Sequence, residues 1–317
     1  MTTHPVICVG GENLIDHVTR DGAQSALAGG SPFNVAMALG RQQADVRYVT
    51  PISTDSWGDH LADTLKSSNV TLSGGRSDAP TTIARVTVRD GIPDYRFERD
   101  GTAERTVTPA FLQEVIPADT AALHTGSLAL TMGADAEAWE TTCAAAFDSG
   151  TLVSLDPNVR ISVVADVESY RARIGRMLEK TNLLKLSDED LGDLYPDMTQ
   201  QGALDLLRKT TAANLVVMTK GPDGAEAWCG DIHVKAPAPR VPGLVDTVGA
   251  GDTFMATLLA GLARIGALSQ DGVGTLTQAQ VADLVGRAGR AAAINCSRAG
   301  CNPPTLDELE CALSDAG

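Results

Sequence analysis

Short apolar runs separated by longer stretches of helical spacing dominate the chain from residue 121 onward. Ala122-Leu123-His124, Leu152-Val153-Ser154-Leu155, Asn182-Leu183-Leu184-Lys185-Leu186 and Asn214-Leu215-Val216-Val217-Met218 each read as a buried strand. Val6-Ile7-Cys8-Val9 has the same character and ends at Gly10-Gly11. A helical pattern around 134–147 lies between two of these runs. Strands alternating with helices predict an α/β fold, a doubly wound and mostly parallel sheet flanked by helices. Such sheets bind ligands beyond the carboxyl ends of their strands. Asp156, Arg160, Ser187, Asp190, Thr219 and Gly221 all fall at such ends, and this shared placement argues for one site.

The stretch 82–98 breaks the pattern. Ala84, Val86 and Val88 alternate with Arg85, Thr87 and Arg89, Asp90-Gly91 is a turn dipeptide, and Tyr95 and Phe97 alternate with charged residues. This predicts a hairpin with one apolar face: a lid, a dimer surface, or an edge of the main sheet.

Two glycine turns precede helices. After Gly29-Gly30, Ser31 suits an N-cap and Pro32 the first helical position, with Asn34 in the first turn. Asn34 could offer an amide to a polyol, or the segment could be only a capped helix. After Gly249-Ala250-Gly251, the residues Phe254, Leu258, Leu262 and Ile265 recur at helical spacing, with Met255 and Leu259 beside them. The amides at such a helix start favour an anion, and small residues let a phosphate approach. Asp252 would then be placed to take a proton from a hydroxyl. Read alone, however, Gly-Ala-Gly-Asp is more economically a turn with a capping aspartate, and Asp16 a loop carboxylate.

The net charge of −15 argues against a general binder of nucleic acid or anionic membrane. The 317 residues and 43% hydrophobic content allow a sizeable, mostly aliphatic core, since aromatics are only 4%. Six cysteines form no CxxC pair and five histidines no ligand-spaced cluster, which predicts reduced thiols in a cytoplasmic protein. No signal core or membrane-length apolar run is present. GxGxxG, Walker A, GxSxG and HExxH motifs are absent, so any phosphate handling must use Gly249-Ala250-Gly251.

Ala28-Gly29-Gly30-Ser31-Pro32-Phe33-Asn34-Val35-Ala36 resembles the N-terminal signature of the ribokinase-like (PfkB) carbohydrate kinases. Asp246-Thr247-Val248-Gly249-Ala250-Gly251-Asp252-Thr253-Phe254 resembles their C-terminal signature. Gly11-Glu12-Asn13-Leu14-Ile15-Asp16, Asp156-Pro157-Asn158-Val159-Arg160 and Leu184-Lys185-Leu186-Ser187-Asp188-Glu189-Asp190 resemble the fructokinase branch. The resemblance spans the chain and implies a single kinase domain over 1–317, with lid segments at about 12–27 and 82–105. It implies a base at Asp252 and an anion hole at Gly249, Ala250 and Gly251. Sugar contacts would come from Asp16, Gly30, Asn34, Phe97 and Arg160, and ATP contacts from Lys185, Thr219, Gly221, Gly224 and Asn295. A monovalent cation, K⁺, would sit among Asp246, Val248, Arg298 and Gly300. Many relatives carry Asn-x-x-Glu where this chain reads Ser187-Asp188-Glu189-Asp190, so Mg²⁺ would be oriented through water by Asp190 in preference to Glu189. Pro304 stands where some relatives supply a serine to the cation loop. The implied activity is ATP-dependent phosphorylation of a sugar hydroxymethyl group, D-fructose to fructose 6-phosphate, in a homodimer joined through the lids. Alternatives are a kinase for 2-keto-3-deoxygluconate, another sugar or a nucleoside, and a non-catalytic sugar sensor.

Overall fold

The computed structural model describes residues 5–20, 23–89, 92–241 and 243–315. The expected Asp90-Gly91 turn lies outside them.

Among the described residues the main sheet has nine strands. From one edge they run Ile232–Ala236, Ala225–Cys229, Leu215–Thr219, Leu183–Ser187, Leu152–Asp156, Thr120–Gly126, Val6–Val9, Asp45–Tyr48 and Val70–Leu72. The pairs from Leu215–Thr219 to Val70–Leu72 are all parallel, and the two strands at the other edge are antiparallel. Alternate residues of the parallel strands feed two separate cores. Ile7, Val9, Leu183, Leu215 and Val217 join one, while Val6, Cys8, Leu184, Leu186, Val216 and Met218 join the other. A strand buried on both faces has no need of a polar face, which is why these strands read as continuous apolar runs.

Helices Ser31–Arg41, Ser56–Ser67, Ala250–Arg264 and Gln278–Cys296 contribute to the first core through Phe33, Leu61, Leu258 and Leu284. Pro109–Val115, Ala134–Asp148, Val167–Leu178 and Gln200–Thr210 contribute to the second through Leu112, Trp139, Ile174 and Leu207. The doubly wound α/β reading is thus the observed one. Among the described residues no helix is long and apolar enough to cross a membrane, and the six cysteines are free thiols.

The stretch 82–98 forms the expected hairpin, Thr82–Arg89 against Ile92–Glu98. It is not an edge of the main sheet. Leu14–Arg20 pairs parallel to Thr82–Arg89, and Ala23–Gly29 pairs antiparallel to Leu14–Arg20, making a separate four-stranded sheet. Asp16 therefore lies on a strand, which corrects its reading as a loop carboxylate. Across this sheet Asp16, Ala84 and Phe97 are register partners, so all three project from one face.

Candidate active site

Helix Ala250–Arg264 begins at Gly249, whose φ of 74° lies in the left-handed region. A Cβ at this position would stand 2.3 Å from Cys301 Sγ. Conformation and space therefore both require glycine. Ala250 N–H turns back to the Thr247 carbonyl at 3.2 Å. The Gly251 and Asp252 amides have no protein acceptor among the described residues. They are the open donors of a helix start, where the dipole also favours an anion.

Asp252 does not cap this helix, which has no side-chain cap. Its carboxylate, only 6% exposed, is turned toward the other glycine turn. Ser31 Oγ donates to Oδ1 at 2.7 Å and Asn34 Nδ2 to Oδ2 at 2.8 Å. Burial pushes the Asp252 pKa up, while the Ser31 and Asn34 donors and the charges of Lys185 and Arg160 oppose the shift. Ser31 is likewise not the N-cap that its sequence context predicts. Gly30 holds that place at φ 106°, where a Cβ would lie 2.5 Å from the Glu12 carbonyl oxygen. Ser31 becomes the first helical residue, and its hydroxyl is free to reach Asp252. Asn34 Oδ1 is buried with no protein hydrogen-bond partner.

Asp16 faces this centre from the small sheet. Burial, and then repulsion from Asp252, push it up to about 6. Glycine at position 29 makes room for it, since a Cβ there would be 2.4 Å from Asp16 Oδ2. Phe97 packs at the edge of the Leu14, Ala84 and Leu128 cluster and helps to line a cavity of about 320 Å³ with Arg96, Arg99, Arg105 and Val163. Arg160 is exposed and folds back onto the Val159 carbonyl at 2.9 Å.

Behind the helix start lies a buried ion pair that no sequence pattern announced. Lys185 Nζ donates to Asp156 Oδ2 at 2.8 Å, with side chains 5% and 0% exposed. The ammonium sits 2.7 Å from where a Cβ on Gly251 would be, against the first turn of helix Ala250–Arg264. Burial alone would lower the Lys185 pKa, but Asp156, Asp190 and Asp252 outweigh it and hold it above the usual lysine range. Burial pushes Asp156 up to about 6 against the pull of Lys185. Lys185 thus lies behind the open helix-start amides, as a fixed positive charge beneath them.

Thr219 ends its strand, and Lys220 N–H closes the following loop onto the Gly224 carbonyl at 2.8 Å. Gly221 and Gly224 both have positive φ, and a Cβ on Gly224 would stand 2.1 Å from the Ala236 carbonyl oxygen. Beside them opens a cavity of about 410 Å³ lined by Lys220, Asp223, Glu226, Lys235 and Pro237. Asn295 is fully buried as a brace. Its Nδ2 donates to the Val248 carbonyl at 2.7 Å, and its Oδ1 accepts from Asn302 N–H at 2.8 Å.

No group of three or more His, Cys, Asp or Glu side chains fit to hold a metal occurs among the described residues. Asp190 makes a capping box with Ser187 and accepts Val159 N–H at 2.6 Å. Its Oδ1 therefore latches the 156–160 loop and its Oδ2 holds the Ser187 N–H, while Glu189 is exposed at the same helix start. A Mg²⁺ ion that keeps its waters and binds mainly phosphate oxygens fits this donor set better than a protein cage. Asp246 accepts Val248 N–H at 3.1 Å and Gly300 N–H at 3.0 Å. This draws together the 246–248 and 298–300 segments expected to hold a monovalent cation, with Asp246 as the charged member.

What the fold and this geometry define together is a class: a small-molecule phosphotransferase, with open helix-start amides beside a buried carboxylate. The chain belongs to the pfkB family carbohydrate kinases, whose family profile matches residues 12–308. It is 39% identical over 288 residues to a fructokinase of Rhizobium leguminosarum bv. trifolii, covering 88% of this chain and 83% of that one. A fructokinase of Xylella fastidiosa with bound ATP shares the fold at TM-score 0.91 and 24% identity, covering 99% of each chain. A fructokinase double mutant of Vibrio cholerae O395 with fructose, ADP and potassium ion shares it at TM-score 0.82 and 22% identity, covering 98% of each.

Proposed function

We propose that this chain is an ATP-dependent, cytoplasmic fructokinase that transfers the γ-phosphoryl group of ATP to the 6-hydroxyl of D-fructose. The observation that carries the reading is the Asp252 carboxylate, buried beside open helix-start amides and faced by Asn34 and Asp16. Asp252 takes the hydroxyl proton as the sugar oxygen bonds to the γ-phosphorus and the bond to the β-phosphate oxygen breaks, releasing ADP. The Gly251 and Asp252 amides and the Lys185 charge behind them stabilise the phosphoryl oxygens in flight. Asn34 Oδ1 and Asp16 accept sugar hydroxyls, with Phe97 and Gly30 shaping the sugar site. The loop of Thr219, Gly221 and Gly224 takes the nucleotide, and Asn295 holds the loop beside it. Mg²⁺ would supply neutralising charge to the phosphates and would be oriented through water by Glu189, the carboxylate of its pair not already committed.

A sugar acid would require cationic groups at the sugar site. Of the cations near Asp252 and Phe97, Lys185, Arg99 and Arg105 are each paired with a buried carboxylate, at Asp156, Glu104 and Asp135, which leaves Arg96 and Arg160 and favours a neutral sugar. The deciding experiment is a turnover screen over hexoses, 2-keto-3-deoxygluconate and nucleosides. Fructose is expected to give the highest kcat/KM, with activity lost on chelation of Mg²⁺ and higher in K⁺ than in Na⁺ buffer. A keto-deoxy acid or nucleoside as preferred substrate would overturn the assignment, and equal rates in the two buffers would remove K⁺. The small sheet is the lid over the sugar, and two lids pair in a homodimer; sedimentation showing only monomer, with and without sugar, would remove the dimer.

A further inference from the structure

The chain passes between the main fold and the small sheet four times: near Glu12, near Gly30, at Thr82 and at Arg99. All four passages meet in one buried polar cluster. Glu12 Oε1 accepts Ser31 N–H at 3.0 Å, and its Oε2 accepts Ala129 N–H at 3.1 Å. Arg99 makes a two-pronged bond to Glu104, at 2.8 and 3.1 Å, and donates to the Leu128 carbonyl at 3.1 Å. Thr82 Oγ1 donates to Glu104 at 2.9 Å. Glu12 and Glu104 are 1% and 2% exposed, so these bonds carry no competition from water.

Ser31 belongs to this cluster and to the active site at once. Its amide is held by Glu12 while its hydroxyl holds Asp252 Oδ1. We propose that Glu12 is a positioning residue, which through Ser31 aligns the Asp252 carboxylate and couples that alignment to the seating of the small sheet. A carboxylate is the side chain that can accept both flanking N–H groups. A glutamine in its place presents one acceptor and one donor, so one of the two amides loses its partner.

The proposal rests on Asp252 being the base, and its test includes a readout independent of any substrate. Glu12→Gln, Ser31→Ala and the double variant are compared with the unsubstituted chain on the sugar that the latter turns over best. Glu12→Gln is expected to lower kcat by about 10- to 100-fold through misalignment, with KM for ATP unchanged. Ser31→Ala is expected to lower kcat comparably, and the double variant no further than the worse single one, because the two residues act in series. In ¹³C NMR titration of the Asp252 carboxyl, both single variants are expected to raise its pKa, since the Ser31 donor lowers it. Unchanged kcat in Glu12→Gln, multiplying effects in the double variant, or an unmoved Asp252 titration would each overturn the proposal. A chain whose unsubstituted form turns over no sugar, but whose Asp252 titration shifts as stated, would separate failure of the kinase reading from failure of the Glu12 link.

Discussion

Asp252→Asn is expected to keep its fold and its affinity for sugar and ATP while losing about 10²–10⁴ in kcat. A sugar hydroxyl attacks poorly until its proton begins to leave, and asparagine has no basic oxygen to receive that proton. The substitution disturbs little else. Ser31 can still donate to the amide oxygen. Asn34 loses an acceptor for its Nδ2, but its own Oδ1 has no partner, so turning its amide over restores a hydrogen bond to the new NH₂ group and presents Nδ2 to the sugar hydroxyl, which accepts as well as donates. Removing the charge also relieves the repulsion between Asp252 and Asp16, so the melting temperature is expected to hold or rise. A capping role for Asp252 would give the opposite result, lower stability with near-normal turnover, but the helix start has no side-chain cap to lose. Steady-state kinetics and a melting curve on the same variant decide the matter; an active Asp252→Asn enzyme would refute the mechanism.

Lys185→Met is expected to cost about 3–5 kcal/mol of stability, the scale on which a buried ion pair loses one partner. Asp156 would remain fully buried with both oxygens unpartnered, since its Oδ1 already has none. The sign of the pH dependence follows from its pKa, raised by burial to about 6 even with Lys185 in place. Without Lys185 it rises further above its unfolded value. A carboxyl raised in the folded state stabilises at low pH and loses that contribution as pH rises through the folded pKa. The penalty of Lys185→Met is therefore expected to be small at pH 5 and to grow toward pH 8. Adding Asp156→Leu removes the orphaned charge and is expected to restore most of the stability. It is not expected to restore kcat, because the positive charge behind Gly251 is still missing. Urea unfolding at several pH values measures the first effect and steady-state kinetics the second. A loss below about 1 kcal/mol at pH 8, the range of a solvated pair, would show that the charges are not held as the geometry implies.

Much of the fold was legible because its signals are local. The parallel strands bury both faces, so each is a run of apolar residues that needs no partner to be recognised. The helix that opens at Ala250 shows its period in Phe254, Leu258 and Leu262, and Gly249 before it holds the positive φ of a helix-start turn. The two signature motifs are likewise contiguous. The small sheet was only half visible. Thr82–Arg89 and Ile92–Glu98 alternate, but Leu14–Arg20 and Ala23–Gly29 have no clean period; the first becomes a strand by pairing with Thr82–Arg89 and the second by pairing with the first. The outer strands Asp45–Tyr48, Val70–Leu72, Ala225–Cys229 and Ile232–Ala236 are illegible for a similar reason: none is a continuous apolar run, and pairing with the sheet decides its conformation more than its own residues do.

Within the site, the sequence by itself determined which residue types are available and that two glycine turns would each open a helix. It did not determine what those residues do, because a side chain's role depends on which acceptor or donor the fold brings to it. Ser31 looks like a cap and instead holds Asp252 across 221 positions of chain. Asp190 looks like a metal carboxylate and latches the loop at Val159, while Asn295 braces Val248 and Asn302. Lys185 and Asp156, 29 positions apart, meet only because their strands lie side by side in the sheet. Hydrogen bonds and charges act over a few ångströms of space, and only the tertiary structure brought these residues that close.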